Sequence, residues 1–204
     1  MITLYWHPKT RASRVLWMLE ELGEPFETRF VDIRNPDTIE EPGFRQASPM
    51  GKVPAITDEA PNGTVHMADS APICLYLSDR YAPGRLAPEV DDPSRGRFLF
   101  WMGYTPGAIE PAMMEKFIGF DVNRGSCGWG NWETALRVLE DGLREGPWVM
   151  GEHFSAADVM LGSSVYFLKQ FGLLGENTVL DPYLERCLAR PAYQTALARE
   201  DEAD

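Results

Sequence analysis

The dipeptide Val53-Pro54 constrains this chain more than any other feature. It lies within Ser48–Ile56 (SPMGKVPAI) and is followed by Ala68-Asp69-Ser70-Ala71-Pro72. Proline fixes φ near about −65° and has no N–H for a ladder, so it enters a strand at its first residue or stays at an edge. The stretch therefore predicts a turn, a strand entered through the Val-Pro bond, a hairpin at Pro61-Asn62-Gly63, a strand over 64–67 and a helix opening on Asp69-Ser70. If the Val53–Pro54 bond is cis, the Val53 N–H and C=O face solvent rather than a neighbouring strand. Extended backbone of that kind pairs with a peptide ligand. The helix N-terminus near Ser70 offers free N–H groups to a carboxylate, so a small anionic peptide suits the place.

Upstream, residues 2–6 read as a strand broken by His7-Pro8. Val15, Leu16, Met18, Leu19 and Leu22 form a helical stripe over 13–22, ended by Gly23 and Pro25. Residues 26–33 alternate as a second strand, with Phe26, Thr28, Phe30 and Asp32 on one face. Strand, helix, strand is the opening of a βαβ unit. The stretch 36–47 has room for a short helix. Residues 82–93, rich in proline and partly acidic, mark a domain boundary. Everything after them reads helical. A stripe of Trp132, Ala135, Leu136, Leu139 and Leu143 runs through 131–144. A helix starts at Ser155 with Asp158 in the capping-box position and Phe154 placed to staple onto Val159. A last helix starts near Arg190-Pro191, and the tail from Glu200 to Asp204 is expected to fray. The architecture is α/β plus all-α: a small domain over 1–82 with a mixed four-stranded sheet in thioredoxin-like order, then a helical domain over 83–204.

Composition narrows the function. The net charge of −12 argues against unspecific nucleic-acid binding. Yet Lys9, Arg11 and Arg14 precede the first acidic residue, Glu20, so the chain starts with a local basic patch suited to an anion. Cys74, Cys127 and Cys187 are far apart, and no Cys/His grouping has metal spacing. Reduced thiols in a cytoplasmic protein are expected, with Cys74 in an apolar helical run as core. Met1–Trp6 lacks the charged region of a signal peptide, and no apolar run approaches a membrane span.

Five segments, LYWHPKTRASRVLWMLEELG (4–23), SPMGKVPAI (48–56), ADSAPICLYLSDRYAP (68–83), FSAADVMLGSS (154–164) and ARPAYQTAL (189–197), occur in an order that resembles the cytosolic glutathione S-transferases of bacterial type. The resemblance covers nearly the whole chain. It implies a thioredoxin-like domain that binds glutathione, a helical domain that contributes a pocket for a hydrophobic electrophile, a homodimer and a detoxifying transferase. Glutathione is then a co-substrate, with no metal or other cofactor implied. Val53 matches the residue whose backbone pairs with the cysteinyl unit, and Pro54 the cis proline after it. Asp69 and Ser70 match the pair that holds the γ-glutamyl end. Lys52 matches a position that contacts the ligand backbone, and Arg11 is placed to meet ligand charge. A plain helix cap is an equally good local reading of Asp69-Ser70.

The implied chemistry needs a thiolate, and a free thiol has a pKa of about 8.5. A donor at the sulfur, beside a helix N-terminus, favours ionisation. In the family this donor, a Tyr, Ser or Cys, lies just after the first strand. No Cys occurs in residues 1–23, which argues against the cysteine classes that act as thiol-transferases or reductases. Thr10 falls where the serine classes carry serine and ranks first; Ser13 is second and Tyr5 third. Ala12 stands where bacterial relatives often have serine, so a backbone N–H or Arg11 stays open as stabiliser. For the electrophile, the resemblance points to Phe98–Tyr104, Glu110–Met114 and Phe117, with Tyr104 placed to reach a polar group. Two rivals stay open: another glutathione-dependent reaction (peroxide reduction, isomerisation or ether cleavage), and a non-catalytic glutathione-binding or regulatory protein on the same fold.

Overall fold

The computed structural model describes residues 1–120 and 122–203. Strand β1 (Ile2–Trp6), helix α1 (Ala12–Leu22) and strand β2 (Phe26–Phe30) form the expected βαβ opening, β1 and β2 pairing in parallel. The stripe predicted for α1 is buried: Val15, Leu16, Met18 and Leu19 have no exposed surface. Gly23 ends the helix in the left-handed region at φ 75°, donating its N–H to Leu19. β2 lies at the edge of the sheet and stops at Phe30, short of the expected 33. Asp32 turns the chain there, its side chain accepting from the Arg34 N–H and its carbonyl from Asn35.

The poorly patterned stretch holds two short helices, α2 (Pro36–Ile39) and α3 (Pro42–Ala47). Asn35 and Glu41 cap them, and each carries proline in its first turn, where no N–H is needed. Strand β3 (Ala55–Ala60) turns into β4 (Gly63–Ala68), and β3 also pairs antiparallel with β1, giving the order β2-β1-β3-β4. Helix α4 (Ser70–Tyr81) packs against α1. This is the mixed sheet of a thioredoxin-like domain, followed by a helical domain.

The chain divides into two compact units. One is Met1–Ala82 together with the chain from Arg190 onward; the other is Pro83–Ala189. The last helix, α10 (Pro191–Ala203), starts where Arg190-Pro191 predicts, but it packs along α1 in the first unit rather than with 83–189. Charge and aromatic contacts explain the placement. Arg190 bonds both oxygens of Glu21 at 2.5 and 2.7 Å, and Arg199 meets Glu20 at 2.6 Å. Trp17 sits edge-on to Tyr193 at 5.1 Å. Residues 200–203, expected to fray, continue this helix; Asp204 lies outside the described residues.

The second unit comprises α5 (Arg95–Tyr104), a π-helical turn (Thr105–Ile109), α6 (Glu110–Ile118), a 3-10 turn (Arg124–Ser126), α7 (Trp132–Gly142), α8 (Ala156–Gln170) and α9 (Leu180–Leu188). α8 is buried along most of its length and begins with the expected capping box. Asp158, fully buried, accepts from the Ser155 N–H at 3.0 Å, the Val149 N–H at 3.0 Å and the Tyr183 hydroxyl at 3.1 Å. Burial pushes its carboxyl up to about 6 against the pull of those donors. Phe154 sets its ring edge-on to Trp148 at 4.9 Å. Among the described residues, no helix is long and apolar enough to cross a membrane.

Candidate functional site

The sheet register gathers three loops at one end of the first unit. Tyr5 pairs with Ala55, and Ala55 with Ala68. The chain leaving β1, the chain entering β3 through Val53-Pro54 and the chain leaving β4 into Asp69-Ser70 therefore emerge side by side. The Asp69 N–H donates to the Pro54 carbonyl at 3.2 Å and ties two of them together. The Val53–Pro54 bond is cis. The Val53 side chain packs on the cluster of Tyr5, Phe44 and Ala55, which fixes its backbone. Among the described residues, neither the Val53 N–H nor its C=O has a hydrogen-bond partner. The Val53 backbone thus offers both a donor and an acceptor for pairing.

Asp69 and Ser70 divide two tasks. Asp69 caps α4, its carboxylate accepting from the Ala71 N–H at 3.3 Å, and the residue is exposed. Its φ of 76° is a region that costs a side-chain-bearing residue roughly 1–3 kcal/mol. Ser70 is 2% exposed, yet neither its N–H nor its hydroxyl has a partner among the described residues. Pro72, two residues on, has no N–H to offer. Two donors therefore converge at the positive end of α4, beside a surface carboxylate. A carboxylate next to an ammonium, the free α-amino acid end of a small peptide, complements that arrangement.

The three hydroxyl candidates, Tyr5 in β1, Thr10 in the loop before α1 and Ser13 in the first turn of α1, are in different states. Thr10 is half-buried; its hydroxyl donates to the His7 carbonyl at 2.7 Å and accepts from the Ala12 N–H at 3.2 Å. The Ser13 hydroxyl donates to the Thr10 carbonyl at 2.8 Å and also contacts the Glu200 carboxylate. Tyr5 is 4% exposed and packs on Phe44 at 5.6 Å between ring centres. It lines a cavity of about 320 Å³ with Arg29 and Phe44, which Thr10, Val53 and Ser70 do not line. Ala12 is fully buried, and its side chain carries no donor. Arg11, at the start of α1, is exposed, and so is Lys52, whose backbone is tied on both sides to the Ser48 hydroxyl.

The cysteine of the first unit is not poised for thiol chemistry. Cys74 is fully buried in α4, and burial pushes its thiol up to about 12, with Arg14 opposing and Asp69 adding to the rise. Among the described residues, no group of three or more His, Cys, Asp or Glu side chains is placed to hold a metal ion. Tyr104 belongs to the second unit. Its hydroxyl donates to the Ala135 carbonyl at 3.0 Å, and burial pushes it up to about 12 with Arg137 opposing. The polar tip expected to reach a ligand is thus engaged by α7. One residue at the site escaped sequence reasoning altogether: Glu200, some 190 positions from the loop that it touches. The available signal was the pairing of Arg190 and Arg199 with Glu20 and Glu21, which no local pattern displays.

Two family profiles together span most of the chain. The family profile for the glutathione S-transferase N-terminal domain matches residues 10–80, and that for the C-terminal domain residues 78–191. Glutathione S-transferase 3 of Schizosaccharomyces pombe is 31% identical over 176 residues, covering 78% of this chain and 70% of its own. The disulfide-bond oxidoreductase YfcG of Escherichia coli is 25% identical over 217 residues, covering 100% of this chain and 98% of its own. A glutathione transferase family member from Pseudomonas fluorescens, crystallised with two glutathione molecules bound, superposes with a TM-score of 0.74 at 27% identity, covering 96% of this chain and 92% of that one.

Proposed function

The chain belongs to the glutathione S-transferase family, and on that premise we propose that it binds glutathione, holds its sulfur as a thiolate and conjugates it to a hydrophobic electrophile. The observation that carries this reading is the set of unpartnered groups at one end of the sheet: the Val53 N–H and C=O, and the Ser70 N–H and hydroxyl. The cysteinyl unit of glutathione presents one N–H and one C=O in extended backbone, the complement of Val53. Its γ-glutamyl end carries a carboxylate for Ser70 and an ammonium for Asp69. Charge-assisted bonds of this kind are about twice as strong as neutral ones. Arg11 and Lys52 supply positive charge for the remaining carboxylate and the ligand backbone.

Thr10 supplies the hydroxyl at the sulfur. Its oxygen accepts from the Ala12 N–H whichever way its own proton points, so rotation from the His7 carbonyl to a thiolate keeps one bond and exchanges the other. Ser13 is worse placed, because a hydroxyl that faces a carboxylate donates to it in preference to a more diffuse anion. The glutathione thiol gives its proton to water, and the thiolate is held by the Thr10 O–H and the positive end of α1. The sulfur lone pair then forms the S–C bond as the electrophile's leaving group departs with its electron pair. A two-fold dimer in the cytoplasm is the setting that the family relation favours.

A second reading is favoured by the full-length likeness to a disulfide-bond oxidoreductase and by the neighbour with two bound glutathiones. The same thiolate attacks a disulfide, a second glutathione resolves the mixed disulfide, and two glutathiones are oxidised to one glutathione disulfide while the substrate gains two thiols. Product analysis separates the readings: conjugates with an electrophile panel support the first, and stoichiometric glutathione disulfide supports the second. Absence of saturable binding at millimolar glutathione refutes both.

A further inference from the structure

Glu200 reaches the loop before α1 from the far end of the chain. The Lys9 N–H donates to Glu200 Oε1 at 3.3 Å, and the Ser13 hydroxyl contacts the same oxygen. One carboxylate oxygen thus bridges the residue before Thr10 and the residue three after it. Lys9 stands at φ 56°, a left-handed conformation that costs a residue with a Cβ roughly 1–2 kcal/mol, and the bridge gives its N–H an anionic acceptor. The carboxylate is itself held in place. Arg190 and Arg199 on α10 pair with Glu21 and Glu20 on α1, and Tyr193 packs on Trp17. Glu200 is half-buried, so solvent screens its bonds less than those of a surface carboxylate. Its carboxyl lies above the ordinary range, raised by burial and by Asp201, with the Ser13 and Lys9 bonds opposing.

We propose that Glu200 is a positioning residue for the thiol-activating loop: it locks residues 9–13 so that the Thr10 hydroxyl is presented to the sulfur while the Ser13 hydroxyl stays on the carboxylate. This rests on the glutathione-thiolate reading above. The role runs against simple electrostatics, and that gives the test its sign. A carboxylate near a thiolate disfavours ionisation by charge alone, so deleting it would lower the thiol pKa. Loss of the ordered Thr10 donor would raise it.

Two measurements on full-length Glu200→Ala and Glu200→Gln decide the matter. Hydrogen exchange on the ligand-free proteins reads the loop itself. The Glu200→Ala variant exchanges the amides of residues 9–13 about tenfold faster than the parent, whereas Glu200→Gln, whose amide oxygen still accepts, stays close to it. Ultraviolet thiolate absorbance then reads the bound glutathione. In Glu200→Ala the apparent thiol pKa rises by about 0.5–1 unit, kcat/KM near neutral pH falls roughly three- to tenfold, and glutathione Kd stays within about twofold. Unchanged exchange in Glu200→Ala, or a thiol pKa that falls or stays put, overturns the positioning role. Lack of glutathione binding by the parent protein overturns the functional reading instead, and the exchange result still decides whether Glu200 locks the loop.

Discussion

Replacing Ser70 with alanine separates a ligand-binding hydroxyl from a structural one. The hydroxyl has no partner among the described residues, although the residue is 2% exposed. Its removal therefore breaks no bond within the fold, and stability should change by no more than about 0.5 kcal/mol. For a chain of this size that is a melting shift of roughly 1–2 °C. The ligand loses one hydrogen bond to a carboxylate, roughly 1.5–3 kcal/mol, while the Ser70 N–H remains. At about 1.4 kcal/mol per decade, glutathione Kd should rise roughly ten- to a hundredfold. Isothermal titration calorimetry with glutathione, run beside thermal unfolding of the ligand-free proteins, measures both quantities. A Kd within about twofold of the parent refutes the assignment. So does a large fall in melting temperature, because it would mean that the hydroxyl serves the fold.

Asp69→Asn keeps a good N-cap and a residue tolerant of positive φ but removes the charge; glutathione should bind about tenfold more weakly at unchanged melting temperature, and unchanged affinity would reduce Asp69 to a cap. Thr10→Ala should lower turnover roughly ten- to a hundredfold with little effect on glutathione Kd, and Thr10→Ser should restore most of it; unchanged turnover in Thr10→Ala with Ser13→Ala inactive reverses the assignment. Asp158→Ala strands the buried Val149 and Ser155 N–H groups and should cost about 3–5 kcal/mol, read as a large drop in melting temperature. Because the folded pKa of Asp158 is raised to about 6, its unionised form favours the fold, and this contribution declines as pH rises from about 4 through 6. The parent should therefore lose more stability over that window than Asp158→Asn does, and parallel stability curves would contradict the shift.

Legibility in the sequence followed how local each determinant is. Val53-Pro54 and Asp69-Ser70 could be read because proline, a capping aspartate and a helix start act within a few residues, and the hairpin between them brings the two together through the Ala55–Ala68 pair. The capping box at Ser155–Asp158 was legible for the same reason. The placement of α10 was not. It depends on ion pairs between residues about 170 to 180 positions apart, and the acidic run from Glu200 onward looks like a solvated tail when read alone. The state of each hydroxyl was also hidden. The sequence ranks Thr10 above Ser13 by position alone, and only the fold shows one turned to a carbonyl and the other also to a carboxylate. The bond from the Tyr104 hydroxyl to the Ala135 carbonyl of α7 was hidden as well, because an aromatic run does not display the partner of its polar tip.

The proposed chemistry depends on glutathione being ionised when it is bound at this site. Difference absorbance near the thiolate band, followed from about pH 5 to 10 with glutathione saturating the protein, tests it most directly. The bound thiol should titrate at about 6–7, against about 8.5 for an ordinary free cysteine thiol. Saturable binding with a thiol that still titrates at its free value would contradict it.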